Sequence, residues 1–197
     1  MKTYNLKFVL LISISMLITG SVASQVLKIA PKSSVITING TSNLHDWKSK
    51  SETIKGELIL AGENQVKSFS LDIPVKSIKS GEKLMDSKTY ETFNADRHPN
   101  ISFRLTDVSN LQINGNNVNV VFNGNLTMAG ATKKIAIKAT GKNIKAGTYT
   151  FNGSVNLKMT DFKMQPPTAL LGTMKVGDGV KLAFDITLEE QAQASIE

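Results

Sequence analysis

Apolar side chains recur at every second position along most of this chain from Ser34 onward, and helical spacing is nearly absent. The clearest runs are residues 69–75 and 182–188, in which Phe, Leu, Ile and Val alternate with mostly polar residues. A period of two places alternate side chains on opposite faces of a strand, so it predicts strands with one buried face. About eight such runs, separated by turns such as Asn114–Gly115, predict an all-β antiparallel barrel or sandwich.

Three segments depart from this alternation. Residues 81–99 carry four apolar residues at helical spacing, which predicts one short helix. Residues 161–179 contain two adjacent prolines and no clear period, which predicts a long crossover or lid. Near Gly124 the pattern of the strand at 118–128 suggests a change of phase, which predicts a β-bulge.

The N-terminus has the pattern of a signal peptide. Lys2 and Lys7 bound a short polar start, the run from Phe8 to Ile18 is apolar, and small residues ending at Ala23 form a cleavage site. The apolar run is well short of the ~20 residues of a spanning helix. We therefore expect export, with residues 1–23 as signal peptide and residues 24–197 as a single domain whose core is 34–189.

The charge and cysteine content narrow the classes of partner. The chain has 23 Lys and Arg against 16 Asp and Glu, a net charge of +7, and no Cys. Basic residues are not interleaved with aromatic ones, so we expect no nucleic-acid partner. Attraction to anionic lipid head groups, and with it a transient contact with a membrane surface, stays open. The lack of cysteine excludes disulfides and thiol catalysis.

Residues that could carry catalysis are few. The two histidines are His45 and His98, and no nucleophile or zinc-hydrolase motif is present. His45 and Asp46 could be read as an oriented base, but neighbouring residues of an extended chain point to opposite faces, and Ser42 is an arbitrary nucleophile. No spacing joins either histidine to further metal ligands. We expect a protein that is not an enzyme, with no catalytic residue and no metal site.

Trp47, the only tryptophan, lies three residues after Leu44. Its ring is either a plug that closes one end of the core, or a wall against a bound chain with the indole N–H available to a polar head group. The interior of an eight-stranded barrel is either filled by side chains or holds one small ligand, and alternation alone does not distinguish the two.

The succession of short motifs resembles the YceI-like domain family. The resemblance begins with residues 40–47 (GTSNLHDW) and Gly56–Glu57–Leu58, and continues with Ile73–Pro74–Val75. The later parts are Ile78, Ser80–Gly81, Asp86, Phe93, Ala95, residues 98–103 (HPNISF), residues 124–130 (GNLTMAG) with Thr132–Lys133, Asp161–Phe162 and residues 176–180 (VGDGV). These motifs occur in the family's order from residue 34 to residue 189.

This resemblance implies an extended eight-stranded antiparallel barrel of lipocalin-like shape, periplasmic or secreted, without catalytic residues. It also implies a lumen that holds an isoprenoid or other long-chain lipid, such as a polyisoprenoid quinone or a fatty acid, with no other cofactor. A homodimer is an additional expectation. Met85–Asp86 stands where many members have Arg–Asp, so a head-group contact by that Arg is in doubt, although Lys83 or Lys88 could replace it.

The expected ligand contacts combine inward aromatic residues with residues around the lumen entrance. Phe103, Phe122, Phe151 and Phe184 are expected to flank the lipid, and the crossover from Phe162 to Met174 is expected to gate its entry together with the helix. The full expected set is Leu44, His45, Trp47, Leu84, Met85, Phe93, Phe103, Phe122, Phe151, Met159, Phe162 and Phe184. The alternatives are a ligand-free structural or stress-related barrel and a hydrolase that uses His45 and Asp46.

Overall fold

The computed structural model describes residues 24–62 and 65–190, so the expected signal peptide lies outside the described residues. Within them the chain forms mainly long strands, with one α-helix and short 3-10 turns. The elements are β1 Ser24–Ile29, β2 Val35–Ser42, β3 Trp47–Ser51, β4 Lys55–Ala61, β5 Val66–Pro74, α1 Lys83–Phe93, β6 Asn100–Asn114, β7 Asn117–Met128, β8 Ala131–Lys145, β9 Thr148–Lys158, β10 Thr168–Ala169 and β11 Met174–Glu190.

Eight antiparallel strands close into a barrel in the order β1, β4, β5, β6, β7, β8, β9 and β11, and β11 pairs back with β1. The last strand is long enough to have two partners on the same edge. Residues 188–190 pair with β1, whereas residues 176–185 pair with β2, which in turn pairs with β3. The predicted eight-stranded antiparallel barrel with one short helix is therefore confirmed, and β2 with β3 extends its wall at one end.

The sequence pattern missed β1 and β3. β1 lies before Ser34, where we expected the alternation to begin, yet it closes the barrel. β3 was not predicted because its buried, inward-facing residues are Ser49 and Ser51. The residues at every second position after Trp47 are therefore polar. An alternation of small polar residues carries no hydrophobic signal.

Two expected irregularities are placed differently in the structure. Burial alternates without a break along β7, so the change of phase predicted at Gly124 is wrong. The register shifts instead in β6, where Thr106 is the extra residue between the pairs Leu105–Gly124 and Asp107–Asn123. The crossover expected at 161–179 ends early, because residues 174–179 already belong to β11.

Helix α1 covers one end of the barrel. The left-handed conformation of Asn94 ends it at a φ of 48°, and the buried side chain of Phe93 faces the barrel. The Tyr90 hydroxyl donates to the carbonyl groups of Lys76 or Ile78 in the connection from β5. No helix of the described residues is long and apolar enough to cross a membrane. Residues of α1, β2 and β3 line one cavity, so the helix and the β2–β3 extension lie at the same end of the barrel and enclose its entrance.

Candidate functional site

The part of the lumen that lies away from α1, called here its lower half, is a narrow space packed with aromatic rings. Its cavity measures about 70 Å3 and is lined by Ile, Leu, Val and Phe side chains alone. Ring centroids lie 6.0 Å apart for Phe69 and Phe103, 5.5 Å for Phe69 and Phe122, and 6.0 Å for Phe122 and Phe151. We call these four residues the aromatic cluster. At such spacings the rings interact directly, so the cluster largely fills this half of the barrel.

Two glycines let inward aromatic rings lie flat against the neighbouring strand. Phe151 of β9 is paired with Gly141 of β8, and Phe184 of β11 is paired with Gly153 of β9. A methyl group at either glycine would overlap the ring of its partner. The ring therefore occupies the volume that a side chain on the adjacent strand would need.

A larger cavity of about 290 Å3 lies under α1 at the other end of the lumen. Ile101 and Leu182 line both cavities, so the two spaces are adjacent. All five methionines of the described residues contribute to its wall, and Met is the most adaptable apolar side chain. The lining consists of Ile38, Ser42, Leu44, His45, Trp47, Ser49, Ile78, Glu82, Leu84, Met85, Lys88, Thr89, Thr92, Phe93, Ile101, Met128, Leu157, Met159, Met164, Pro167, Thr168, Met174, Val176, Val180 and Leu182.

Ser49 is a buried polar residue in this apolar wall. Its side chain is 2 % exposed, and among the described residues its Oγ is the buried side-chain atom without a hydrogen-bond partner. An unpaired hydroxyl in such surroundings costs about 1–3 kcal/mol. Ser51, two residues further along β3, is equally buried but bonds to Ser77 Oγ at 2.8 Å. The contrast marks Ser49 as a polar position at which a ligand group or water would gain a hydrogen bond.

The turn between β2 and β3 uses its polar side chains to hold its own backbone. Ser42 Oγ donates to the His45 carbonyl at 2.7 Å and accepts from the His45 backbone N–H at 3.1 Å. His45 Nδ1 lies 2.9 Å from the carbonyl oxygen of Asp46, not from its carboxylate. The indole N–H of Trp47, considered as a donor to a head group, donates instead to the carbonyl of Thr41 at 3.1 Å. The side chains of Ser42, His45 and Trp47 therefore hold the backbone of a structured rim.

A lid segment, residues 164–174, closes the side of the larger cavity. Asn43 holds it in place, because its Nδ2 donates to the Thr173 carbonyl at 2.9 Å and its Oδ1 accepts from the Lys175 N–H at 2.8 Å. At its tip, Leu171 has a φ of 56° and a fully exposed side chain. Leu44 and Leu84, on the β2–β3 turn and α1, are also exposed. Apolar residues thus surround the entrance.

Asp86 anchors the start of α1 below the entrance. Its side chain is 16 % exposed, and its Oδ1 accepts hydrogen bonds from the Ser80 N–H at 2.8 Å and Oγ at 2.7 Å. Burial acts to raise the pKa of Asp86, but these two bonds and the nearby Lys79 charge outweigh it and lower the pKa below 3.8. The carboxylate therefore stabilises the helix start in its ionised form.

A pH-dependent loss of stability follows from Asp86. Since the folded-state pKa is lowered, its contribution is complete above about pH 4 and is lost as the pH falls through the folded pKa. Asp86→Asn should lower the free energy of unfolding by about 1 kcal/mol at pH 7 and flatten the acid limb of stability against pH. Urea unfolding between pH 2.5 and 7 measures both. An unchanged acid limb in Asp86→Asn would contradict this role.

The structure divides eleven of the twelve expected ligand contacts between the two cavities. Leu44, His45, Trp47, Leu84, Met85, Phe93 and Met159 line the larger cavity. Phe103, Phe122, Phe151 and Phe184 line the narrow one. Phe162 is 1 % exposed and lines neither. Lys88 lines the larger cavity and pairs with Glu91 at 2.7 Å, whereas Lys83 is exposed and does not line it.

The expected ligand contacts lack Ser49 and Met128, which line the larger cavity, and they include Met164 and Met174 only as part of the crossover expected to gate entry. Methionine placement was a usable signal, since the five methionines outside the expected signal peptide all lie in α1 or later in the chain and converge on one cavity. Ser49 had no such signal, because its burial follows from the pairing of β3 with β2.

A family model supplies the assignment. The model described as YceI-like domain matches residues 27–188, which is most of the chain. The chain belongs to the YceI-like domain family. The match begins inside β1 and ends inside β11, so it covers the closed barrel and both cavities. No curated protein matches this chain.

Solved structures share the fold of this YceI-like domain at low sequence identity. BcnA from Burkholderia cenocepacia is 20% identical, with a TM-score of 0.66, over 81% of this chain and 98% of that one. A polyisoprenoid binding domain from Saccharophagus degradans, implicated in plant cell wall breakdown, is 11% identical, with a TM-score of 0.68, over 84% and 98%. The Campylobacter jejuni YCEI protein is 17% identical, with a TM-score of 0.59, over 74% and 85%. At these identities the likeness concerns the fold.

Proposed function

We propose that this YceI-like domain is a binding protein, not an enzyme, that holds one long-chain amphiphile in its lumen. The observation that carries this is the larger cavity, whose wall is mostly apolar and rich in methionine and whose volume of about 290 Å3 is near the lower limit of small-molecule sites. The polyisoprenoid binding domain of the same fold supports the assignment. An isoprenoid quinone or a fatty acid has the required chemistry.

Binding in this cavity is driven by burial of hydrocarbon. Each Å2 of apolar ligand surface removed from water contributes roughly 25 cal/mol. Adaptable methionine side chains can adjust to branched or straight chains. The aromatic cluster leaves only about 70 Å3 in the narrow cavity. The first part of the ligand's hydrocarbon chain therefore occupies the larger cavity, and a longer ligand requires the rings to move. The polar end of the ligand then lies close to α1 and the rim.

Extraction of the purified protein with organic solvent, followed by mass spectrometry, tests this function. The expected result is one lipid species in near-stoichiometric amount, with a hydrocarbon chain and one polar end. A protein that carries no lipid and takes up neither a fluorescent fatty acid nor an isoprenoid quinone would instead favour the ligand-free structural barrel.

Ser49 is expected to hold the polar end of the ligand. Ser49→Ala removes an unpaired hydroxyl, so the free energy of unfolding should stay equal or rise, while affinity for a hydrogen-bonding ligand falls about fivefold to tenfold. Titration with a fatty acid and with the corresponding alkane measures the difference, and the alkane should be unaffected.

Ser51→Ala is the matched control for Ser49→Ala. Ser51 is buried on the same strand but is already bonded to Ser77, so its loss should cost about 1 kcal/mol of stability and leave affinity unchanged. If both variants weaken fatty-acid binding equally, Ser49 has no specific part in holding the ligand.

Export is the second element of the proposal. Cleavage after Ala23 would remove residues 1–23 and keep all the strands of the described residues, the first of which is β1 Ser24–Ile29. Expression of the full chain in a bacterial host should yield extracytoplasmic protein whose intact mass corresponds to residues 24–197. Recovery of the full-length mass from that fraction would refute the cleavage prediction.

A further inference from the structure

Nearly all the net positive charge lies in one continuous part of the sequence. Between Asp107 and Asp161 the chain contains six lysines and no Asp or Glu. The remaining residues hold 17 of the 23 basic side chains and all 16 acidic ones, so they are almost balanced. This distribution is far more uneven than the overall charge of +7 indicates.

The fold spreads this segment over one side of the barrel. β7, β8 and β9 are neighbours, and we call their outward faces the basic wall. Lys134, Lys138 and Lys142 are exposed on β8, the middle strand, and successive lysines are about 13–14 Å apart along it. Asn125 and Val121 pair with the first two, and Asn117 and Thr150 flank the third. The lysines thus form a straight row among uncharged side chains.

These lysines carry no compensating charge. The ion pairs among the described residues are Lys76–Asp96, Lys79–Asp86, Lys88–Glu91 and Arg104–Asp72, and none involves the basic wall. The acidic residues nearest the row of Lys134, Lys138 and Lys142, namely Asp107 and Asp185, are on the strands that border the wall, and Asp178 lies beside Lys158 at the end of β9. The wall therefore presents an uncompensated positive field to any surface it approaches.

We propose that the basic wall docks this protein on the anionic head groups of a phospholipid bilayer. Exposed lysines near an anionic bilayer each raise partitioning by about fivefold. The wall's outward positions carry no aromatic side chain, no Met and no Arg, and these residues are enriched in protein interfaces, from which Lys is depleted. Single-stranded nucleic acid needs aromatic stacking platforms, which the wall also lacks.

Docking of this kind goes beyond lipid storage, because the wall lies outside the lumen and its lysines line neither cavity. It holds the protein at the surface where amphiphiles are concentrated. It also predicts that vesicle binding does not depend on whether the lumen is loaded.

The test is flotation with phosphatidylcholine vesicles containing 0 or 30 mol% phosphatidylglycerol, at 50 and 500 mM salt. We expect binding to the anionic vesicles alone, and its loss at high salt through screening. The variant Lys134→Gln/Lys138→Gln/Lys142→Gln should bind the anionic vesicles roughly a hundredfold more weakly, because each of the three lysines contributes a factor of about five. Folded protein without bound lipid should float as well as lipid-loaded protein.

The matched control is Lys28→Gln/Lys55→Gln/Lys67→Gln, which removes three exposed lysines from β1, β4 and β5. It makes the same change in net charge on strands outside the basic wall, so it should retain most of the binding. An equal loss in both variants, equal binding to vesicles without phosphatidylglycerol, or tighter binding to a DNA duplex at 150 mM salt would each overturn the proposal. Lipid content is measured in parallel, so that failure of the docking surface and failure of the lumen are distinguished.

Discussion

Replacement of Phe122 by Ala is expected to lower the free energy of unfolding by about 3–5 kcal/mol. Phe122 is 7 % exposed, and its ring contacts the rings of both Phe69 and Phe151. The neighbouring side chains extend from rigid strands on three sides of the barrel, so they can fill only part of the space left by the ring. Urea unfolding followed by circular dichroism measures the loss.

Val121→Ala is the control for this substitution. Val121 precedes Phe122 on β7 and points out of the barrel, where it is only half-buried, so its truncation should cost much less than 1 kcal/mol. A Phe122→Ala protein as stable as Val121→Ala would mean that the aromatic cluster is not the packed part of the lumen. Phe122→Trp should also destabilise, by about 1–3 kcal/mol, because the narrow cavity has no room for a larger ring.

Met85→Trp should reduce bound lipid at least tenfold with little loss of stability. Met85 lies on α1 and lines the larger cavity, which has about 290 Å3 to receive an indole ring. The added ring occupies ligand volume there, whereas a tryptophan in the aromatic cluster strains the barrel. Lipid released per mole of protein and titration with a fluorescent fatty acid measure the effect.

Met85→Leu is the conservative control, because it keeps the volume of the side chain and should retain lipid. If Met85→Trp keeps its full lipid content while Phe122→Trp loses it, the ligand occupies the narrow cavity and the assignment of the larger one is wrong. If both keep it, the ligand lies outside the described cavities. The pair of variants therefore locates the ligand as well as testing for it.

The hydrogen bonds at the entrance are weak enough to allow lipid to be exchanged. Asn43 binds the lid segment to the β2–β3 turn through hydrogen bonds to the backbone of Thr173 and Lys175. Bonds of this kind contribute about 1 kcal/mol each, which is small enough for thermal opening. Exchange of lipid would thus use the lid and α1, while the long strands of the barrel stay closed.

The sequence by itself determined the fold class and most of the strands. Alternation such as that of Phe69, Leu71 and Ile73 can be interpreted without tertiary information, because only an extended strand places every second side chain on the same face. Helix α1 was predictable from local spacing as well, since Leu84, Met85, Tyr90 and Phe93 recur at a helical period and do not alternate. The succession of short motifs then sufficed to recognise the YceI-like family, and the family model confirmed it.

Only the tertiary structure decided how the interior is divided. Phe122 and Met128 both point inward from β7 and have the same sequence pattern, yet one packs in the aromatic cluster and the other lines the larger cavity. The difference depends on what faces each residue across the barrel, where chain positions far apart in sequence meet. The same holds for Ser49, which is buried by pairing with β2, and for Lys134, Lys138 and Lys142, whose charge is uncompensated because β8 lies between two strands without acidic residues.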